Sequence, residues 1–395
     1  MQPAPRPFGA TPRAISLPRI NVLRLDPLLL LATLGLVACS LLTIATATQG
    51  DIAGDPGYYW VRQALYFTVG FVLMLALASF DYSRLREWKM GLYGSMVGLI
   101  VLVYAVSGAT RGSRRWIEFG FFNFQASELG KLLLILSLAA FVVDRTRRLG
   151  ERETTSRIML LALVPAIMVV AQPDLGTGMV YGVIALALLF VAGAKWTHFA
   201  ALGTLLVVTT VIALVAAPAA GVTVLKPYQV DRLTAFLNPS SDPQEQGYQV
   251  NQSITAIGSG QKTGRGPDGA TQTKLDFLPE HHTDFVFAVV GESYGFMGSA
   301  LVLSLFALLI WRGLRIMTMA KNFYGTLIAG GIVAMLLFQV FVNAGMTLGI
   351  MPITGVTLPL MSYGGSSVIV TFMALGVLQS IYIQGRDSIK RREPI

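Results

Sequence analysis

Ionisable residues crowd the stretch Lys274-Leu-Asp-Phe-Leu-Pro-Glu-His-His-Thr-Asp-Phe-Val-Phe-Ala288, directly ahead of a long apolar run. Such groups are expensive in lipid, so they face water, a partner or a substrate. Asp284 stands at the water boundary of the run, where partial desolvation would raise a carboxyl toward a useful general-base pKa. The competing role is helix capping, in which Thr283 or Asp284 satisfies free amides at the start of the run. The residues alone leave these two roles even. Glu128 and Lys131 are three apart and share one helix face. They form either a site-shaping ion pair, with Lys131 approaching an anion, or a structural pair favoured by the helix dipole at Glu128. Arg115 could grip a phosphate through two hydrogen bonds. Trp116 could stack on a ligand, although an interfacial position is its commoner fate. Gln172 and Asp174 flank a tight turn, where Asp174 is better suited to capping than to chemistry. His281 and His282 lie near Asp276 and Glu280, but adjacent histidines lack zinc-ligand spacing, so no protein-bound metal is expected.

These groups must be positioned by membrane helices. The chain has 395 residues, of which 54% are hydrophobic and 13% charged. Soluble domains carry about twice that charged fraction. A single cysteine, Cys39, excludes an internal disulfide. Residues 1–24 read as a disordered basic tail, and the run from Pro27 to Thr48 is too long for a signal-peptide core. Apolar runs of membrane length fall near 26–48, 62–80, 91–107, 128–143, 157–172, 176–194, 197–217, 285–311, 323–345 and 363–384. An all-α polytopic membrane protein of about ten helices follows, with one membrane domain over 25–385 and a basic tail over 386–395.

Twenty of the 30 basic residues then fall on the side that holds both termini. The positive-inside rule makes that side cytoplasmic, and the uneven distribution excludes nucleic acid as the partner. The opposite side holds Arg111, Arg114 and Arg115 in one loop, and Lys226, Arg232, Lys262, Arg265 and Lys274 in another. Cations there suit an anionic ligand such as a pyrophosphate, or lipid headgroups. The second of these loops, 218–284, shows little periodicity, and Gly258–Gly269 reads as flexible. Its Gly-Ser-Gly-Gln-Lys-Thr run lacks the glycine before lysine of a nucleotide loop. Pro352, Pro359, Gly364 and Gly365 interrupt the backbone before the last run, and such backbone must be buried or line a cavity.

Six motifs occur in order: Gly112-Ser-Arg-Arg115-Trp116-Ile, Gln125-Ala-Ser-Glu128-Leu-Gly-Lys131, Gln172-Pro-Asp174-Leu-Gly176-Thr-Gly178, Gly247-Tyr-Gln-Val-Asn-Gln-Ser253, the Lys274–Ala288 stretch, and Met351-Pro-Ile-Thr-Gly-Val-Thr-Leu-Pro-Leu-Met-Ser-Tyr-Gly-Gly-Ser-Ser367. In these the chain resembles the SEDS family (shape, elongation, division and sporulation). Gly269-Ala-Thr-Gln-Thr-Lys-Leu-Asp-Phe-Leu-Pro-Glu280 favours its elongation branch, RodA, over the division branch, FtsW. The family commonly has Pro at the position of Ala126, a second Glu at Ser293 and Gly at Gln261.

The resemblance implies a peptidoglycan glycosyltransferase of the bacterial inner membrane that polymerises lipid II and releases undecaprenyl pyrophosphate. It implies Asp284 as the essential carboxylate and Glu128 with Lys131 as a pair shaping the site. Substrate contacts are expected from Arg115, Trp116, Gln125, Gln172, Asp174, Lys274, His281 and Ser362. A divalent cation (Mg or Mn) would arrive with the pyrophosphate. Expected partners are a class B penicillin-binding protein, the undecaprenyl-linked glycan and other elongation-complex proteins. The alternatives are a lipid II flippase or a non-catalytic scaffold. A flippase needs a polar path through the bilayer, whereas the charges here collect on the outer side.

Overall fold

The computed structural model describes residues 24–48, 55, 57–107, 115–120, 122–212, 214, 219, 236, 246–275 and 277–390. The expected tail over 1–24 and the cations Arg111, Arg114, Lys226 and Arg232 lie almost wholly outside them. Each apolar run forms a helix: α1 (Pro27–Ala47), α2 (Tyr58–Ser79), α3 (Lys89–Val106), α4 (Ala126–Asp144), α5 (Arg152–Ala171), α6 (Leu175–Val191) and α7 (Trp196–Val211). Then come α8 (Gln246–Gly260), the short α9 (Gly266–Gly269) and α10 (Thr271–Lys274), and the long α11 (Val286–Met319), α12 (Phe323–Thr347) and α13 (Gly365–Lys390). Among the described residues, eight helices are long and apolar enough to cross a membrane, and α6 and α7 are shorter apolar helices. The chain is a polytopic helical membrane protein. The final helix runs on to Lys390, so the first half of the expected basic tail is helical. A two-residue antiparallel pair, Ile117–Glu118 against Asn123–Phe124, precedes α4.

Burial separates inner from outer helices. In α1 the buried Leu29, Ala32, Leu36, Ser40, Thr43, Ile44 and Ala47 form one stripe at three- and four-residue spacing. Leu28, Leu31, Leu34 and Leu42 are exposed on the other side, as a lipid-facing surface requires. Helix α4 is buried nearly all round, whereas α3 buries only Met96, Ile100 and Val103. Small residues permit close helix crossings. A Cβ on Gly376 of α13 would come within 2.6 Å of the Met74 carbonyl of α2.

One end of the bundle is tied by charge. Asp26 caps α1 through the Leu29 amide (2.9 Å), its amide donates to Gln379 Oε1 (2.8 Å), and its Oδ1 accepts from Arg312 Nε (3.1 Å). At the same end Arg24 meets Asp387 at 3.6 Å, so the first and last described helices start and finish together.

Two sequence expectations change. The run 285–311 does not form one continuous helix: α11 breaks at Gly295, whose φ is 64° and ψ −156°. The Gly258–Gly269 stretch is a packed plug in that break. The Phe296 and Met297 amides freed there donate to the carbonyls of Gln261 (2.8 Å) and Lys262 (3.1 Å). The Glu292 carbonyl accepts from the Arg265 amide at 2.9 Å. A broken membrane helix survives only when its backbone groups are satisfied in this way. Gly260 and Gly264 sit against the backbone of Gly291 and Ser293, where a Cβ would collide. Gln261 holds φ at 45°, which accounts for glycine at this position in the family pattern.

Candidate functional site

The end of the bundle opposite Asp26 gathers the motif residues. Asp284 lies half-buried in a turn just before α11. The N-cap position of the helix falls on Phe285, which supplies no side-chain hydrogen bond. Asn343 of α12 holds the turn in place. Its Nδ2 donates to the carbonyls of Asp284 (2.9 Å) and Val356 (2.8 Å). Gly355, at φ 70°, brings its backbone to the carboxylate: a Cβ there would stand 3.5 Å from Asp284 Oδ2. Neighbouring Thr354 and Val356 press on Gly176 at the start of α6, where a Cβ would meet the Thr354 carbonyl at 2.6 Å.

From Gly176 the contacts continue to α4. Asp174 caps α6 by accepting from the Thr177 amide at 3.1 Å, and its other oxygen accepts from Gln125 Nε2 at 2.9 Å. Ser127 Oγ lies 3.3 Å from the same oxygen. Gln125 also ties α4 to α13, its amide donating to Ser366 Oγ at 3.0 Å. One turn further, Lys131 Nζ binds Glu128 at 2.8 Å, with side chains only 3% and 8% exposed. Tyr181 closes the face by donating to the Ser127 carbonyl at 3.0 Å. Asp284 and the Glu128–Lys131 pair thus belong to one continuous set of contacts running through the 348–364 connection.

Several side chains expected to touch substrate turn inward. Lys131 is 2% exposed and its ammonium is taken up by Glu128, so it does not present a free cation at the rim. Gln172 is buried at the end of α5 and donates to the Ile100 carbonyl at 2.9 Å, tying that end to α3. Ser362 is buried and accepts from the Leu358 amide at 2.8 Å, which satisfies the irregular backbone between Pro352 and Gly365. Gln125 and Asp174 satisfy each other. His281 is buried with Nδ1 3.2 Å from the Leu278 carbonyl. In each case a buried polar group finds its partner within the protein. These five residues and Lys131 therefore build the wall of the site.

Arg115 and Trp116 are half-buried at the rim, and Lys274 is exposed there. Arg115 Nε is buried with no hydrogen-bond partner, which suits a guanidinium positioned for an incoming acceptor. Beside Asp284, His282 stacks near Tyr59 (4.7 Å) and Tyr363 (5.8 Å). Burial, with Tyr66 alongside, pushes the Tyr363 phenol above its ordinary pKa and keeps it neutral. Among the described residues no group of three or more His, Cys, Asp and Glu side chains is arranged to hold a metal ion.

Sequence reasoning missed Glu292. It is fully buried, and its carboxylate accepts from the amides of Gln272 (2.8 Å) and Thr273 (3.1 Å) and from Thr273 Oγ1 (2.7 Å). It caps α10 across the break and so fixes where Lys274 stands. A charged residue deep in an apolar run was the available signal. Asn343 was likewise visible as a polar residue in a membrane-length run.

The family model for cell cycle proteins of the FtsW, RodA and SpoVE type matches residues 23–387. The chain belongs to the SEDS family. It is 37% identical over 358 residues to the peptidoglycan glycosyltransferase MrdB of Escherichia coli (strain K12), covering 91% of this chain and 93% of that protein. It is 40% identical over 379 residues to the probable peptidoglycan glycosyltransferase FtsW of Thioalkalivibrio sulfidiphilus, covering 92% and 91%. Among solved structures it resembles a chain of a peptidoglycan synthase complex that coordinates polymerization and crosslinking. That match has a TM-score of 0.75 and 31% identity, and covers 91% of this chain and 98% of the other.

Proposed function

We propose that this SEDS protein is a peptidoglycan glycosyltransferase that polymerises lipid II, with Asp284 as general base. The observation that carries the assignment of the base is the setting of Asp284. It is a half-buried carboxylate in a turn clamped by Asn343, with the bare backbone of Gly355 against it. Asp284 takes the proton of the sugar hydroxyl of an incoming lipid II as that oxygen attacks the anomeric carbon of the lipid-held glycan. The bond from that carbon to phosphate breaks, undecaprenyl pyrophosphate leaves, and a β-1,4 link remains. Lys274 and Arg115 stabilise charge developing on the leaving pyrophosphate, with Trp116 against the sugars. A divalent cation (Mg or Mn) enters with the pyrophosphate rather than on a protein ligand set.

The remaining setting follows from the same reading. The protein lies in the bacterial cytoplasmic membrane with the basic end inward and the Asp284 end outward. It works beside a class B penicillin-binding protein, whose transpeptidase crosslinks the new strand. This is supported by the likeness to a subunit of a synthase complex.

Asp284→Asn tests the base. The variant, purified with its transpeptidase and supplied with labelled lipid II, should yield no glycan ladder on a gel while retaining the wild-type unfolding temperature. A ladder formed at wild-type speed would overturn the assignment and leave the scaffold reading standing.

A further inference from the structure

The basic end holds a groove that the glycosyl-transfer reading does not use. It has a volume of ≈ 750 Å³ and is lined by Arg86, Asp144, Arg145, Thr146, Arg147 and Arg148. Four arginines share it with one carboxylate, and that carboxylate is already engaged. Asp144 Oδ1 accepts from Arg86 at 2.8 Å, and Oδ2 meets Lys89. The turn Thr146–Arg148 places Arg147 and Arg148 on successive exposed positions, with Arg145 half-buried beneath them. Lys195 adds charge from the neighbouring connection, since a Cβ on Gly150 would stand 3.5 Å from its Nζ.

The surroundings place the groove at headgroup depth. It lies where α3 begins and α4 ends. Trp88, just before α3, is 65% exposed, as is usual for an interfacial tryptophan. Beyond it, α3 presents Met90, Val101 and Leu102 outward, a surface suited to acyl chains. A concave arginine cluster beside a lipid-facing helix recognises a phosphate that carries hydrocarbon tails. A soluble anion would gain nothing from the apolar wall.

We propose that this groove is a binding site for the phosphate headgroup of an anionic phospholipid in the leaflet at the basic end. Arg145, Arg147 and Arg148 bind the phosphate, and α3 lies along the tails. The site is separate from the Asp284 end and does not depend on the catalytic reading.

The test is native mass spectrometry of the full chain in detergent, titrated with phosphatidylglycerol, cardiolipin, phosphatidylcholine or inorganic pyrophosphate. Retention of phosphatidylglycerol or cardiolipin over phosphatidylcholine is expected, weakening as ionic strength rises. In the double variant R147Q/R148Q, which leaves the pairing of Asp144 intact, affinity should fall roughly 30-fold, at about a factor of five for each cation removed. A matching unfolding temperature shows that this variant is folded. Equal retention of phosphatidylcholine, or an unchanged affinity in the variant, would overturn the proposal. So would pyrophosphate binding as tightly as the lipids, which would make the groove a soluble-anion site.

Discussion

At the scale of single residues, the buried Glu128–Lys131 pair is the most consequential feature outside Asp284. Two opposite charges on side chains only 3% and 8% exposed hold each other in place. Removing one leaves the other buried without compensation, at a cost of about 3–5 kcal/mol. Glu128→Gln should therefore lower the unfolding temperature sharply. The double variant Glu128→Gln/Lys131→Met removes both charges and should recover most of the loss. Polymerisation assays on that folded double variant separate two roles. Retained activity marks the pair as structural, and lost activity marks its field as part of the site.

Among elements, the plug and the broken helix decide the geometry. Helix α11 breaks at Gly295, and residues 260–265 supply the hydrogen bonds it loses. Gly264 has φ of 83° and lies against the backbone of Ser293, so a methyl group there is strained and has no room. Gly264→Ala should destabilise the plug by about 1–3 kcal/mol. Because Glu292 then no longer anchors Gln272 and Thr273 in register, activity should fall more than global stability does. Hydrogen exchange should localise the loosening to residues 258–275. Uniform loosening of the whole bundle would contradict this account.

For the whole molecule, Asp26 joins three helices far apart in sequence, through Leu29, Arg312 and Gln379. Asp26→Ala loses a cap, worth about 1 kcal/mol, and strands the mostly buried Arg312, worth up to about 3 kcal/mol more. Adding Arg312→Ala to Asp26→Ala should cost far less than the two single changes summed. Thermal unfolding in detergent measures this. Additive losses would mean that the pair does not couple α1 to α11.

What the sequence determined by itself is what depends on local pattern. Hydrophobic length specified every membrane helix from α1 to α13, because each run must satisfy its own backbone in lipid. The asymmetry of Arg and Lys separated a basic end from a motif-bearing end, and spacing alone put Glu128 and Lys131 on one face. Tertiary structure decided what depends on partners distant in the chain. A continuous apolar run gives no sign that Gly295 breaks it, since the plug that satisfies the break comes from some 30 residues earlier. Nor does sequence tell which polar side chains face inward: Gln125, Gln172 and Ser362 find buried acceptors and donors only once α3, α4, α6 and the 348–364 connection have packed. Burial is a property of neighbours, and the neighbours of Asp284, namely Asn343 and Gly355, are assembled only by the fold.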